Sequence, residues 1–191
     1  GDQPVALAYG DIDGDGDLDM VAANYSDGTG LWGALSVMLG NGDGSFTDAI
    51  STYSKIVYGN ITDIDLVDVN NDGELDILAS DDLNNYVHTF LGHGDGQFGE
   101  GTYNRGRTFA VGTDPSAVVG EDFNGDGFAD IVTTNKTAGT VSVFVGDGTG
   151  NFTLNQTATV GSGASDVTVG DFDGDGEYDL AVSNATAGTI T

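Results

Sequence analysis

Apolar residues along this chain occur in short runs of three to six residues, separated by stretches rich in glycine, aspartate and asparagine. The runs favour β-branched and aromatic residues, and none of them keeps a helical period over ten residues, so they predict strands. They lie at 5–9, 18–22, 35–39, 64–67, 75–79, 86–91, 117–119, 131–134, 141–145, 167–169 and 180–182. The pattern therefore predicts an all-β protein.

A nine-residue acidic loop follows the first strand of each group and recurs four times. The copies are 11–19, 68–76, 122–130 and 171–179, and their first residues lie 57, 54 and 49 positions apart. Positions 1, 5 and 9 are always Asp, position 3 is Asp or Asn, and position 6 is always Gly. Four copies of one pattern indicate an internal repeat of about 50 residues.

The loop has the composition of a cation site. Oxygen side chains at alternate positions of a tight turn converge on one point, and a hard divalent cation prefers such ligands. Glycine at position 6 permits the sharp turn that aims the position 7 carbonyl inward. Without a cation the carboxylates repel one another by about 1 kcal/mol per pair at 4 Å in water, and by more near a protein surface. We therefore predict about four bound cations.

Two other metal sites are excluded. The chain has no cysteine and only two histidines, His88 and His93, so a zinc site is not expected. An EF-hand needs a bidentate Glu at position 12. That position holds Ala22, Ala79, Thr133 and Val182.

A second glycine-rich stretch follows the third strand of each group, at 40–46, 92–98 and 146–152. Glycine at alternate positions favours a hairpin turn, and the phenylalanine that ends each stretch is expected to pack between sheets. A metal site here stays an alternative, although each stretch has only one carboxylate, from Asp43, Asp95 and Asp147.

Four strands per repeat predict a radial or stacked β-repeat, because one sheet cannot bury both of its faces alone. An open arc of an all-β propeller is one such arrangement, in which this chain would contain about three and a half four-stranded antiparallel blades. The segments are about 1–57, 58–111, 112–160 and, for a partial blade, 161–191. The chain is expected to be either a piece of a longer protein or one of several copies that complete one another.

The loops, set between two short strands, resemble the FG-GAP/VCBS-type repeat of integrin α subunits and bacterial surface proteins. That resemblance implies a seven-bladed propeller with Ca²⁺ in each loop. The literal Phe-Gly-Gly-Ala-Pro string is absent, which favours the microbial branch. The implied side-chain ligands are Asp11, Asp13, Asp15, Asp19, Asp68, Asn70, Asp72, Asp76, Asp122, Asn124, Asp126, Asp130, Asp171, Asp173, Asp175 and Asp179. The implied backbone carbonyl ligands are those of Asp17, Glu74, Phe128 and Glu177.

The charge of the chain limits its partners. The net charge is -27, from 31 acidic residues against four Lys and Arg. Nucleic acid is an improbable partner, because its binding depends on Lys and Arg at the phosphates. No apolar run has the roughly 18 residues of a membrane span, so membrane insertion is not expected. We expect an extracellular or cell-surface protein whose partner is a protein, a glycan or another copy of itself.

Catalysis is not expected, since neither a nucleophile elbow nor a metal-histidine constellation is present. The first repeat has an insertion around 24–33 that contains Tyr25 and Trp32. An aromatic residue on a loop can stack on a sugar or bind a partner, while the alternative is packing against a neighbouring blade. The leading hypothesis is calcium-dependent adhesion or assembly. The alternatives are a lectin-like module and an accessory domain of a larger secreted enzyme.

Overall fold

The computed structural model describes residues 2–26, 33–48, 51–57, 59–99 and 107–191. Within these ranges all regular secondary structure is β-strand. The strands form four antiparallel sheets, which we call blades 1 to 4. Blade 1 contains β1 (Asp2–Gly10), β2 (Asp19–Ser26), β3 (Gly33–Met38) and β4 (Ser51–Val57). Blade 2 contains β5 (Ile61–Val67), β6 (Asp76–Asp81), β7 (Tyr86–Phe90) and β8 (Thr108–Ala110). Blade 3 contains β9 (Pro115–Glu121), β10 (Asp130–Asn135), β11 (Thr140–Gly146) and β12 (Phe152–Thr159). Blade 4 contains β13 (Ala164–Gly170), β14 (Asp179–Asn184) and β15 (Thr189–Ile190).

Each blade is a meander in which every strand pairs with its neighbour in the chain. The sequence of the turn between the second and third strands helps to explain why these strands pair as a hairpin. Its last residue has a left-handed backbone, with φ of 60° at Asn85, 65° at Gly139 and 66° at Gly188. Asparagine and glycine tolerate that conformation better than other residues do. The turn chemistry in the sequence thus determines where these hairpins close.

The blades pack face to face through their first strands, and β1, β5, β9 and β13 contact one another in that order. Alternate residues of a first strand point to opposite neighbours. In β5, Ile64 and Leu66 pack with blade 1, whereas Val67 packs with blade 3. Three hydrophobic clusters result, one between each pair of consecutive blades. The predicted all-β propeller arrangement of about three and a half blades is confirmed.

The glycine-rich stretches at 40–46 and 92–98 close as turns, with bridges between Gly40 and Phe46 and between Gly92 and Phe98. The expected packing of their phenylalanines holds in two of three places. Phe98 is buried in the cluster between blades 1 and 2, and Phe152 packs against the next cluster. Phe46 is 39% exposed, because the equivalent phenylalanines pack toward the preceding blade and no described blade precedes blade 1. Among the described residues there is no helical segment with the length and apolarity needed to span a bilayer.

Candidate metal centres

The four acidic loops occupy the same place in every blade, between the first and second strands. In blade 1, β1 ends at Gly10 and β2 begins at Asp19, so the loop spans the whole connection. The position 9 aspartates Asp19, Asp76, Asp130 and Asp179 are the first residues of the second strands. The blade fold therefore presents all four predicted sites on equivalent connections.

The position 1 aspartate organises each loop by accepting backbone hydrogen bonds from residues that follow it. Asp11 Oδ1 accepts from Gly14 N at 2.8 Å, and Asp11 Oδ2 accepts from Gly16 N at 3.0 Å. The position 6 amide donates in the same way in the other loops, from Gly73 to Asp68, Gly127 to Asp122 and Gly176 to Asp171. The glycine at position 6 has φ near 90° in all four loops. The invariant glycine is therefore explained by the turn itself.

Positions 3, 5 and 7 continue this pattern. Asp13 Oδ1 accepts from Asp15 N at 3.2 Å, and Asp15 Oδ1 accepts from Asp17 N at 2.8 Å. Asn70 and Asn124 use their side-chain oxygens in the same way as Asp13. The position 7 amides of Glu74, Phe128 and Glu177 donate to Asp72, Asp126 and Asp175. Backbone amides of the loop thus fix the orientation of the predicted side-chain ligands at positions 3 and 5.

In two loops the carboxylates converge. Oxygens of Asp11, Asp13 and Asp15 lie within 4.8 Å of one another, and so do those of Asp171, Asp173 and Asp179. The other two loops have asparagine at position 3, and so have one carboxylate fewer among positions 1, 3, 5 and 9. An all-oxygen donor set of this kind fits a hard cation such as Ca²⁺.

The position 9 aspartate is buried in blades 1 to 3 and connects the acidic loop to the glycine-rich turn. Asp76 Oδ2 accepts from Val69 N at 2.8 Å, and Asp76 Oδ1 accepts from Gly92 N at 2.7 Å. Asp19 bonds Ile12 N and Gly40 N in the same way, and Asp130 bonds Gly146 N.

Sequence reasoning missed this connection and treated the two stretches as separate turns. The first glycine of each glycine-rich turn is the sequence feature that indicates this contact. A side chain on Gly40, Gly92 or Gly146 would overlap the carbonyl of the residue just before the position 9 aspartate. Only glycine lets the turn approach the loop so closely.

The electrostatics of the acidic loops favour the binding of a cation. Burial raises the pKa of Asp76 to about 6, and the neighbouring charges of Asp72 and Asp68 add to that effect. Loss of solvation also raises the pKa of Asp13, together with the charges of Asp15, Asp19 and Asp11. A bound cation would relieve both effects, because opposite charge favours the ionised form of a carboxyl group.

The two predicted aromatic ligand residues have different outcomes. Trp32 lies outside the described residues. The Tyr25 hydroxyl accepts a hydrogen bond from Asn60 Nδ2 at 2.8 Å and donates one to Asp82 Oδ2 at 3.4 Å. Burial and the charge of Asp82 raise the pKa of Tyr25. This side chain therefore links blade 1 to blade 2, and its role toward a ligand stays a prediction.

Both histidines have structural partners. His88, buried in β7, contacts Asp81 Oδ2 through Nε2 at 3.1 Å. Burial favours a higher pKa for Asp81, but hydrogen bonds from His88 and Asn84 outweigh it and hold that pKa below its usual range. His93 Nε2 lies 2.6 Å from the carbonyl oxygen of Gly99.

Comparison with known proteins agrees with the repeat pattern. The family model described as FG-GAP-like repeat matches three overlapping stretches, 11–79, 68–133 and 122–182. Each match begins at position 1 of an acidic loop and ends in the second strand of the following blade. No curated protein sequence matches the chain significantly.

The fold resembles that of solved structures. A chain described as "Crystal structure of BBS1N in complex with ARL6DN, soaked with lead" superposes with a TM-score of 0.62 at 11% sequence identity. The match covers 97% of this chain and 54% of that chain, so the chain described here spans about half of the other's length. At this identity the likeness shows the fold alone.

Proposed function

Because this chain belongs to the FG-GAP-like repeat family, whose model matches most of its length, we propose that it is a non-catalytic calcium-binding propeller segment that serves adhesion or assembly outside the cell. The observation that carries the proposal is the convergence of three carboxylates in the first loop and three in the fourth. Each cluster offers only oxygen ligands, which suits Ca²⁺.

The ion would be held by the side chains at positions 1, 3, 5 and 9 of each loop and by the position 7 carbonyl. Ca²⁺ would supply two positive charges per loop, so four ions would change the net charge from -27 to -19. The loop residues themselves fix the site. Asp11 and its equivalents hold the backbone turn, and in blades 1 to 3 Asp19, Asp76 and Asp130 hold the loop against the glycine-rich turn.

Calcium binding in this arrangement would be coupled to blade stability. The acidic loop joins the first two strands of a blade, and the position 9 aspartate joins it to the end of the third strand. An ion that orders the loop would therefore order three strands at once. Free energy of binding to a site that the unfolded chain lacks becomes free energy of folding.

The extracellular location rests on the repeat, which integrin α subunits and bacterial surface proteins also contain. At such a location sites with dissociation constants of about 10⁻⁴–10⁻³ M, as in other extracellular modules, would suffice. A strongly acidic surface also disfavours binding to nucleic acid. A protein or glycan at the cell surface is the partner that we propose.

The test is a calcium titration by calorimetry together with thermal unfolding in Ca²⁺ and in EDTA. The parent should bind about four ions, and EDTA should lower its melting temperature by many degrees. Asp15→Ala should remove one binding site. The matched control is Asp43→Ala, which changes an exposed aspartate in the glycine-rich turn and should leave the number of sites unchanged.

Two results would contradict the proposal. One is a melting temperature that EDTA does not change. The other is a loss of a calcium site in Asp43→Ala but not in Asp15→Ala, which would move the site to the glycine-rich turn.

A further inference from the structure

The glycine-rich turn of blade 3, residues 146–152, contacts the acidic loop of blade 2, residues 68–76. The amide of Gly150 in the turn donates to the carbonyl oxygen of Val69, at position 2 of the loop, at 2.9 Å. The two residues belong to different blades. This bond therefore crosses the interface between blades 2 and 3 at the acidic loop.

Apolar packing surrounds this hydrogen bond. Val69 is 1% exposed and lies in the hydrophobic cluster between blades 2 and 3, and Phe152 at the end of the turn packs against that cluster. The ring centroids of Phe152 and Phe109 are 5.1 Å apart. A Cβ atom on Gly150 would lie 3.6 Å from Cγ2 of Val69. The turn of blade 3 is thus packed directly on the loop of blade 2.

Arg107 holds the turn in this position. Its Nη1 donates to the carbonyl oxygen of Thr149 at 2.5 Å and to Asn151 Oδ1 at 2.8 Å. Hydrogen bonds from a charged donor are about twice as strong as neutral ones. Arg107 directly precedes β8 of blade 2, so a residue of blade 2 clamps the turn of blade 3.

The turn is also tied together internally. Asp147 Oδ1 accepts from the amide of Thr149 at 2.9 Å and from its hydroxyl at 2.6 Å. Asp147 Oδ2 accepts from Asn151 Nδ2 at 3.1 Å. Rigid segments of this kind carry energetic coupling between sites, because a change at one end displaces the other.

The first residue of the turn contacts the acidic loop of its own blade. Gly146 N donates at 3.0 Å to Oδ1 of Asp130, the position 9 aspartate of loop 122–130. In blade 2, Val69 N donates at 2.8 Å to Oδ2 of Asp76, the position 9 aspartate of that loop. A continuous path of backbone and hydrogen bonds therefore joins the predicted ligand Asp130, through the turn and Val69, to the predicted ligand Asp76.

We propose that the calcium sites of blades 2 and 3 bind cooperatively, because this turn supports both of them. The inference rests on the proposed calcium function. When loop 122–130 is ordered around an ion, Asp130 and the turn are fixed, and the turn then holds Val69 and loop 68–76 in place. The entropy of ordering the shared turn is lost only once, so the second ion binds more tightly than the first. By linkage, each site raises the affinity of the other by the same factor.

The test uses a two-site protein, which is the full chain with Asp15→Ala and Asp175→Ala in the loops of blades 1 and 4. Calorimetry with Ca²⁺ should show positive cooperativity. Adding Asp126→Ala leaves only the blade 2 site, and adding Asp72→Ala instead leaves only the blade 3 site. The two ions together should bind at least about fivefold more tightly than the product of these single affinities. Repulsion between the two ions would have the opposite sign.

Arg107→Gln tests the route without changing any predicted ligand. Since the turn loses its clamp to blade 2, most of the coupling should disappear, while each single site should keep its affinity. Lys136→Gln is the matched control, because it removes the same charge. Lys136 is exposed and follows β10, at the opposite end of that strand from the acidic loop. This control should leave the coupling unchanged.

Hydrogen exchange of the parent chain gives a second measurement that does not depend on the folding of variants. In a calcium titration, the amides of loop 68–76 and of turn 146–152 should become protected over the same range of calcium concentration, since they are ordered together. Protection of the two segments over separate ranges would contradict the coupling.

Independent binding of the two ions, or coupling of the opposite sign, would overturn the inference. Coupling that Arg107→Gln leaves unchanged would also overturn it. These results would leave the proposed calcium function standing, because both sites would still bind an ion. Absence of any calcium binding by the parent and by the two-site protein would overturn both. Circular dichroism in calcium shows whether each variant is folded.

Discussion

The position 9 aspartate has two roles that separate substitutions can distinguish. Its oxygens satisfy backbone amides of the acidic loop and of the glycine-rich turn, and it is also a predicted calcium ligand. Asp76 is fully buried, whereas Asp72 in the same loop is exposed. Loss of Asp76 should therefore matter even when no calcium is bound.

We expect Asp76→Ala to lower the free energy of unfolding by about 2–4 kcal/mol, because the amides of Val69 and Gly92 lose their partner inside the protein. Denaturant unfolding in Ca²⁺ and in EDTA measures this free energy. The decrease for Asp76→Ala should be present in both conditions. Asp72→Ala is the control and should destabilise the protein only in Ca²⁺. Equal behaviour of the two variants in EDTA would contradict a structural role for Asp76.

At the scale of the strand, a close approach of two blades depends on Gly120 in β9. A Cβ atom there would overlap the side chains of Val67 and Leu78 in blade 2. We expect Gly120→Ala to destabilise the protein by about 1–3 kcal/mol, since both neighbours lie in a packed cluster. Thermal unfolding in calcium measures the effect.

Gly170→Ala is the control for that substitution. A Cβ atom at Gly170 would meet only the ring of Phe172, at 3.2 Å, and that ring is 59% exposed and free to move. A change of less than about 0.5 kcal/mol is expected at such a surface site. Equal destabilisation by the two substitutions would mean that loss of glycine flexibility, and not blade packing, is responsible.

The contact between β5 and β9 should make stability depend on pH. Burial raises the pKa of Asp63 to about 6, despite the hydrogen bonds from Val118 and Ile64. An aspartate in the unfolded chain has a pKa of about 3.9. The folded protein therefore holds a proton that the unfolded chain has released. This stabilising contribution is complete below about pH 4 and is lost as the pH rises through about 6.

We expect Asp63→Asn to be more stable than the parent at pH 8, by up to about 3 kcal/mol, and equal to it at pH 4. Asparagine stays neutral and keeps an oxygen for the Val118 amide. Denaturant unfolding of both proteins across this range, in calcium, gives the difference. Asp48→Asn, at an exposed position, should change stability little. A difference for Asp63→Asn that does not vary with pH would contradict this origin.

At the scale of the whole molecule, the net charge of -27 opposes folding unless it is neutralised or screened. Seventeen of the 31 acids lie in the four loops. In EDTA, raising NaCl from about 0.1 M to about 1 M shortens the screening length from about 10 Å to about 3 Å. We expect the melting temperature in EDTA to rise by several degrees.

The calcium-loaded protein is the control for this prediction, because bound ions already neutralise the loops. Its melting temperature should respond much less to the same change in NaCl. Scanning calorimetry of both forms measures the two responses. Equal responses would mean that salt acts on the whole surface and that the loops hold no special share of the repulsion.

The sequence by itself determined the strands and the loops of this protein. The turn glycines, the position 1 aspartate and the alternation of apolar residues act within a few positions of the chain, so their consequences could be derived locally. The predicted run 18–22 corresponds to β2, which begins at Asp19, and the run 131–134 lies within β10. Because a single sheet cannot bury both of its faces, four copies of the same pattern also predicted sheets that pack on one another.

Only the tertiary structure decided which faces meet and which polar groups are buried. Asp63 and Asp65 have the sequence pattern of solvent-facing strand residues, yet they bind amides 55 positions away in blade 3. Asp19 has the pattern of a loop ligand, yet it also accepts a bond from Gly40 across the blade. Such contacts depend on how the blades pack and on the shift in pairing register that occurs near the start of each first strand. No local pattern in the chain encodes the distance between residues so far apart.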